Sequence, residues 1–361
     1  MTPWANKPSG NSPREPSTLG GVNRRIVTLI AALVPIVIFG SLGANMKVPY
    51  AAVGPGPTYN TLGTLSGRDI IEISGIEPED FGGNLNMTTV AVRSELSLFD
   101  ALGFWIGGRN GLVPLDEVIP PGRTNEEVRE LNRLDFEQSE RQAERAALRH
   151  LEFPLVVEVA EVSETSPSAR FLEPGDVITR VDDVEVFSAA DVPAQLDGLR
   201  PGDSVEVTFT RDGEAGTVTI VLGSHPDDED RGILGIAVVD EPQKDFQVDF
   251  NVEQVGGPSA GLMLALALID KLTPGELTGG RFIAGTGTID AEGAVGPIGG
   301  IRYKLVAAQE EGASEFLVPG GNCREALTFA PDGLTLVRVD TLDDAVSALT
   351  SITTGEEAPT C

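Results

Sequence analysis

Two short stretches hold residue types that chemistry could use. In VGGPSAGLMLALALID (Val255 to Asp270), two glycines, a proline and a serine precede a long apolar run. Proline is comfortable in a first helical turn, so the pattern predicts a helix over 258–271 with Gly257 as its cap. Ser259 then lies beyond the capping position, and routine capping does not explain it. Its hydroxyl would sit in the positive field of a helix N-terminus, among free backbone N–H groups. Gly256, Gly257, Ala260 and Gly261 leave room there for another chain. A nucleophile that develops an oxyanion needs those features.

A serine needs a base at neutral pH. The sequence has 2 histidines, His150 beside a charged helical pattern and His225 in an acidic linker. Both lie outside the unit that holds Ser259, which argues against a Ser-His-Asp triad. Cys323, in GGNCREAL, has no histidine in its unit either and reads as a small buried or surface cysteine. Lysine serves as a base when burial keeps its amine neutral. In GAVGPIGGIRYKLVAAQEEGA, Ile301, Leu305 and Ala308 form one apolar helical face, and Lys304 falls on it. Spacing alone leaves two readings open: a buried neutral base, or a lysine whose stem packs while its amine reaches water.

The elements that must position these residues belong to a long, acidic chain. With 361 residues, two or more domains are the default. A net charge of −29 argues against a nucleic-acid partner, because no basic patch follows the first fifty residues. The two cysteines, Cys323 and Cys361, are too few for a disulfide framework. With two histidines they form no ligand cluster, so neither a metal nor a cofactor is expected.

Residues 1–23 are rich in Pro, Ser, Gly and Asn and read as a disordered cytoplasmic tail. The uncharged run Ile26 to Met46 is long enough to cross a hydrocarbon core of roughly 30 Å. Lys7, Arg14, Arg24 and Arg25 precede it, so residues 24–46 read as one transmembrane helix with the body outside the cytoplasm. A cleaved signal peptide is the main rival, but no clear cleavage site follows, and a buried soluble helix is a third reading. Residues 47–150 read as a membrane-proximal β-rich region and a charged helix, Thr124 to Leu151, opened by a capping box. The aromatic residues of LSLFDALGFWIGG read as core.

From Leu155 the pattern changes to short strands and tight turns, with a helix near 189–199. SPSARFLEPGDVITRVDDVEV resembles a PDZ domain of the bacterial type, which assigns residues 151–223 to that fold. The resemblance implies that an extended peptide adds as a strand beside Leu155 to Val159. The groove would be formed by Phe153, Leu155, Val157, Val192 and Leu196, with the peptide carboxylate held by N–H groups around Leu151 to Pro154. A PDZ fold used only as a spacer is the bland alternative. Residues 224–232 read as an acidic linker and 351–361 as a C-terminal tail.

Residues 233–350 alternate strands and helices in an α+β pattern, with further helices over 302–312 and 341–350. Within them GGPSAG, AGTGTIDAEGAVGPIGGIRYKLVAAQEEGASEFLVP and their order resemble the proteolytic domain of Lon-type serine proteases. The resemblance implies Ser259 as nucleophile, Lys304 as general base and Thr286 as a hydrogen-bonding partner near the amine. It places the oxyanion donors around Gly257, Pro258 and Ser259, and it implies a homo-oligomer, since such domains pack in rings. Lon proteases carry an ATPase module, yet no Gly-Lys pair occurs, so no Walker A loop can be written. The combination is similar to the membrane-anchored, PDZ-containing Lon-domain proteins of bacteria. The fold class is therefore multidomain α+β: a transmembrane helix, a PDZ-like domain and a Lon-type proteolytic domain. The expected activity is ATP-independent cleavage of flexible or unfolded extracytoplasmic proteins. A non-catalytic PDZ adaptor is the rival, and a latent enzyme awaiting ligand or assembly is a third reading.

Overall fold

A computed structural model describes residues 24–79, 82–252 and 255–361. The expected tail, 1–23, lies outside the described residues. The chain forms two compact units: one runs to Ala52 and resumes over Arg93–Leu115, and the other holds Val53–Val92 and Asp116–Cys361.

In the first unit the helix Arg24–Asn45 is 22 residues long. By length and composition it suffices to cross a membrane, and its apolar side chains, such as Leu29 and Phe39, are exposed. A second helix, Leu98–Gly107, opens on a capping box: the Ser97 hydroxyl accepts from Asp100 N–H and the Asp100 carboxylate accepts from Ser97 N–H. Those bonds from Ser97 hold the Asp100 carboxyl below its ordinary value. The sequence places its aromatic residues in a core; the structure bears this out for Phe104, which packs partly buried against the small core of this unit, and corrects it for Phe99 and Trp105. Only Ala101 is buried on the helix, joining Ala52 and Leu96 in a small core, while Phe99, Leu102, Trp105 and Ile106 face outward.

The second unit contains two sheets. One follows from alternating apolar residues: Val157, Val159, Ile178, Val181, Val205, Val207 and Ile220 all point into one core. Along its main path the strand order is Glu214–Val221, Ser204–Arg211, Val177–Val181, Leu155–Val162 and Ile236–Pro242. The tight hairpin at Arg211↔Glu214 turns through Asp212 and Gly213, both with positive φ. Arg211 forks onto the buried Asp176 carboxylate at 2.6 and 2.7 Å, tying the Gly-Asp turn to the sheet. The helix expected over 189–199 is one short turn, Asp191–Gln195. The acidic stretch expected as a linker, 224–232, is a β-hairpin of Gly223–His225 and Asp228–Ile233. The strand after it, which the sequence assigns to the 233–350 domain, joins this sheet: Ile236–Pro242 pairs antiparallel with Leu155–Val162.

The other sheet runs, within this unit, in the order Thr335–Val339, Glu315–Pro319, Phe282–Gly285, Asn84–Arg93 and Tyr50–Asn60. The first four are parallel neighbours. The sequence reads residues 47–150 as a membrane-proximal β-rich region with a charged helix; of these, Val53–Val92 and residues 116–150 belong to the second unit. Leu85 and Met87 are fully buried and Asn84–Arg93 pairs directly with Phe282–Gly285, so the early strand completes the C-terminal sheet. The helix Gly261–Leu272 is buried from Gly261 to Lys271, and the helices Asn125–His150 and Leu342–Thr354 pack against it. A helix apolar on every side requires such cover. Finally, Cys323, which the sequence reads as a small buried or surface cysteine, forms a disulfide with Cys361.

Candidate active site

The serine helix begins at Gly261 with Ala260 as its cap, three residues later than the sequence predicts. The delay has a visible cause. Gly257 adopts φ +84°, and the Ser259 carbonyl accepts from Gly287 N–H at 3.0 Å and from the Thr286 hydroxyl at 2.9 Å. Leu262 N–H in turn donates to Gly287 O. The segment before the helix is thus stitched to the end of the Phe282–Gly285 strand, and Ser259 sits in a turn ahead of the helix.

The helix Asn125–His150 supports the same segment from the other side. Gly257 N–H donates to Asn132 O at 2.7 Å, and the Ser139 hydroxyl donates to Pro258 O at 3.2 Å. A Cβ on Gly261 would lie 2.8 Å from the Ser139 oxygen, so glycine is required for this approach. Ser139→Val should leave the Pro258 carbonyl without that donor and crowd Gly261. We expect a loss of about 1 kcal/mol in stability, read by urea unfolding, and a fall in turnover if the loop is displaced.

Lys304 lies on the helix Ile301–Glu311 and is 2% exposed. Gly300 caps that helix at φ +72°, and its Cβ position is 3.0 Å from Val90, so a side chain there would be both strained and crowded. The Lys304 amine is 2.7 Å from Ser259 Oγ, 2.9 Å from Thr286 Oγ1 and 2.9 Å from Thr88 O. Burial pushes its pKa down to about 7. The three contacts suit a neutral amine. Thr88 O can only accept, and the Thr286 hydroxyl has given its proton to Ser259 O, so both take N–H bonds. The remaining lone pair is then directed at Ser259 Oγ.

Sequence reasoning brought Ser259, Lys304 and Thr286 forward, and the structure brings them together. It missed Thr88, which contributes a main-chain carbonyl and whose hydroxyl donates to Gly285 O at 3.0 Å. The parallel register Met87↔Gly285 is the feature that places it, and no local motif marks it. The oxyanion assignment needs correction. Pro258 has no N–H and the Gly257 N–H is taken by Asn132, so of the three residues only Ser259 retains an N–H without a hydrogen bond among the described residues. The serine and lysine open on a cleft of about 460 Å³, bordered by Tyr59, Thr89, Val90, Val255 and Gly299. Neither histidine supplies the base: His150 pairs with Asp343 at 2.6 Å, and His225 accepts from Asp227 N–H.

The expected peptide groove is not assembled. Val157, Val192 and Leu196 are in the sheet core, Phe153 packs edge-on to Phe246, and Leu155 is exposed. Leu155–Val162 already has a strand on each side. The N–H groups of Leu151, Glu152 and Phe153 are bonded to Ala147, Arg149 and Leu148 carbonyls, and Pro154 has none, so no carboxylate cradle exists there. The sheet ends instead on the edge strands Ile236–Pro242 and Glu214–Val221.

With this geometry in view, comparison with known proteins gives the class of each part. Residues 252–351 match the Lon protease (S16) C-terminal proteolytic domain, and residues 133–222 match the PDZ domain. The chain therefore carries a PDZ domain and a Lon-type proteolytic domain in a multidomain α+β fold. Similar relatives are Lon protease of Roseiflexus castenholzii, 35% identical over 111 residues, covering 28% of this chain and 14% of that protein. Another is Lon protease 2 of Herpetosiphon aurantiacus, 38% identical over 94 residues, covering 25% of this chain and 11% of that protein. Among solved structures, the PDZ domain of an SdrC-like protein from Listeria monocytogenes is 24% identical, with a TM-score of 0.22. It covers 23% of this chain and 87% of that one. The chain spans only 11% to 15% of the length of curated relatives such as these.

Proposed function

We propose that the chain is a membrane-anchored serine endopeptidase that works without ATP, with Ser259 as nucleophile and Lys304 as general base. The observation that carries this reading is the buried Lys304 amine, 2.7 Å from Ser259 Oγ, whose pKa burial lowers to about 7, so that about half of it is neutral at pH 7. Neutral Lys304 takes the Ser259 proton as Oγ attacks a peptide carbonyl, and the Ser259 N–H faces the developing oxyanion. The lysine then returns the proton to the leaving amine, and water, activated by the same amine, releases the acyl group. Thr286 and Thr88 hold the amine in place throughout.

An anchor in the Arg24–Asn45 helix, with the body on the extracytoplasmic side, agrees with the Cys323–Cys361 disulfide, since such bonds persist in oxidising compartments. The Gly-Lys pair that a Walker A loop needs is absent from the sequence, which supports ATP independence and substrates that are flexible or already unfolded. In the PDZ domain a peptide would add to the edge strand Ile236–Pro242. That strand is tied to the Asn125–His150 helix by Arg145–Glu241 at 2.5 Å, and the same helix holds the Ser259 loop. Peptide binding there has a physical route to the active site.

The test is hydrolysis of unfolded casein by the full chain in detergent, without nucleotide, as a function of pH. Because the base must be neutral, kcat/KM should rise with pH, be about fiftyfold higher at pH 7 than at pH 5, and level off above pH 8. A profile flat from pH 5 to 8 would remove Lys304 as the base. Absence of hydrolysis even with C-terminal peptides present would favour a non-catalytic PDZ adaptor.

A further inference from the structure

The helix Leu98–Gly107 carries an apolar stripe that stands exposed among the described residues. Phe99, Leu102 and Ile106 recur at helical spacing, with Trp105 alongside, and Trp105 and Ile106 are 71% and 77% exposed. The only charge on the helix, Asp100, is spent on its own N-cap. A soluble surface does not keep such a stripe without an occupant.

The stripe is continuous with the apolar helix Arg24–Asn45 of the same unit. A Cβ on Gly43 would lie 2.7 Å from the Phe99 ring, so the glycine lets the two helices touch. Leu98 N–H donates to Met46 O and Val48 N–H to Leu96 O, which fixes the short helix at the C-terminal end of the long one. At that level the Lys47 amine donates to Glu95 O, and Arg93 lies over the Phe104 ring at 5.7 Å. Tryptophan beside basic residues at the end of a membrane-length helix is the composition of a bilayer interface. We propose that Leu98–Gly107 lies in the lipid headgroup and upper acyl region, with Phe99, Leu102, Trp105 and Ile106 inserted, as a second membrane contact beside the anchor. The proposal rests on the anchor reading.

Trp105 reports on this directly. The chain has 2 tryptophans, so Trp4→Phe leaves Trp105 as the single emitter. The full chain carrying that change is placed in phosphatidylcholine vesicles whose lipids bear bromine high or low on the acyl chains, and is exposed separately to aqueous iodide. The expected result is loss of most Trp105 emission with the shallow bromines, less with the deep ones, and little with iodide. Strong iodide quenching without bromine quenching, in protein that floats with the vesicles, would overturn the inference and leave the anchor standing. Protection from both quenchers would overturn it too, showing the stripe covered by protein such as a second copy. Protein that fails to float with the vesicles would overturn the anchor reading, and the inference with it.

Discussion

Lys304→Met should lower kcat/KM for peptide hydrolysis by about 10³- to 10⁴-fold, because it removes the amine that lies 2.7 Å from Ser259 Oγ and serves as its base. Ser259→Ala should cause a loss of the same order. The two variants separate in their stability. Lys304 in the folded protein titrates near 7, well below the ordinary 10.5, because burial disfavours its charge. Between pH 7 and 10.5 the unfolded chain therefore binds more protons at this residue than the folded one. Folding releases a proton across that window, so the amine's unfavourable contribution shrinks as pH rises. From this group alone, stability should climb by about 2 kcal/mol between pH 7 and pH 9. Ser259→Ala keeps that slope, and Lys304→Met removes it, at the cost of leaving Thr88 O with one fewer donor. Urea unfolding of the three proteins at pH 7, 8 and 9 reads the difference. Parallel pH dependence in all three would show that Lys304 is charged when folded and is not the base described here.

The serine and lysine were legible because each sits in a locally unusual sequence. Pro258 and the glycines around Ser259 mark a strained approach to a helix, and Lys304 interrupts an apolar helical face. Their meeting was legible only through the resemblance to Lon-type domains, since 45 residues separate them and spacing fixes no distance. Thr88 was out of reach of sequence reasoning for a different reason. Its role is played by a backbone carbonyl, which every residue possesses, and only strand register brings it to the amine. The oxyanion assignment erred because it counted residues and not donors: Pro258 has no N–H, and Asn132, from a distant helix, takes that of Gly257. In the PDZ domain the strands could be read, but the sheet edge could not. Alternation marks which face of Leu155–Val162 is buried, while its neighbour Ile236–Pro242 arrives after an acidic hairpin that reads as a linker.

Reducing the Cys323–Cys361 bond should lower stability by about 4 kcal/mol, from the loop-closure entropy of its 38-residue span. For a unit of this size that corresponds to a fall of about 10 °C in the unfolding midpoint. The bond does more than close a loop. It holds the last residues against the sheet edge, where Arg338 N–H donates to Pro359 O and Cys361 N–H to Leu336 O. Cys323 follows Asn322, whose side chain accepts from Ile298 N–H and donates to Ile298 O at 2.8 and 2.9 Å. Ile298 leads through Gly299 and Gly300 into the lysine helix, so slack at Cys323 would reach the segment that aims Lys304. Cys361→Ser should therefore lower both the midpoint and turnover. Scanning calorimetry of the oxidised protein, the reduced protein and Cys361→Ser makes the comparison, with reductant expected to leave the serine variant unchanged. Equal midpoints in all three would show that the bond contributes nothing to the fold and would remove the chemical argument for an oxidising compartment. A lower midpoint in the two reduced forms would mean that the body needs an oxidising compartment for its full stability, as an extracytoplasmic peptidase would have.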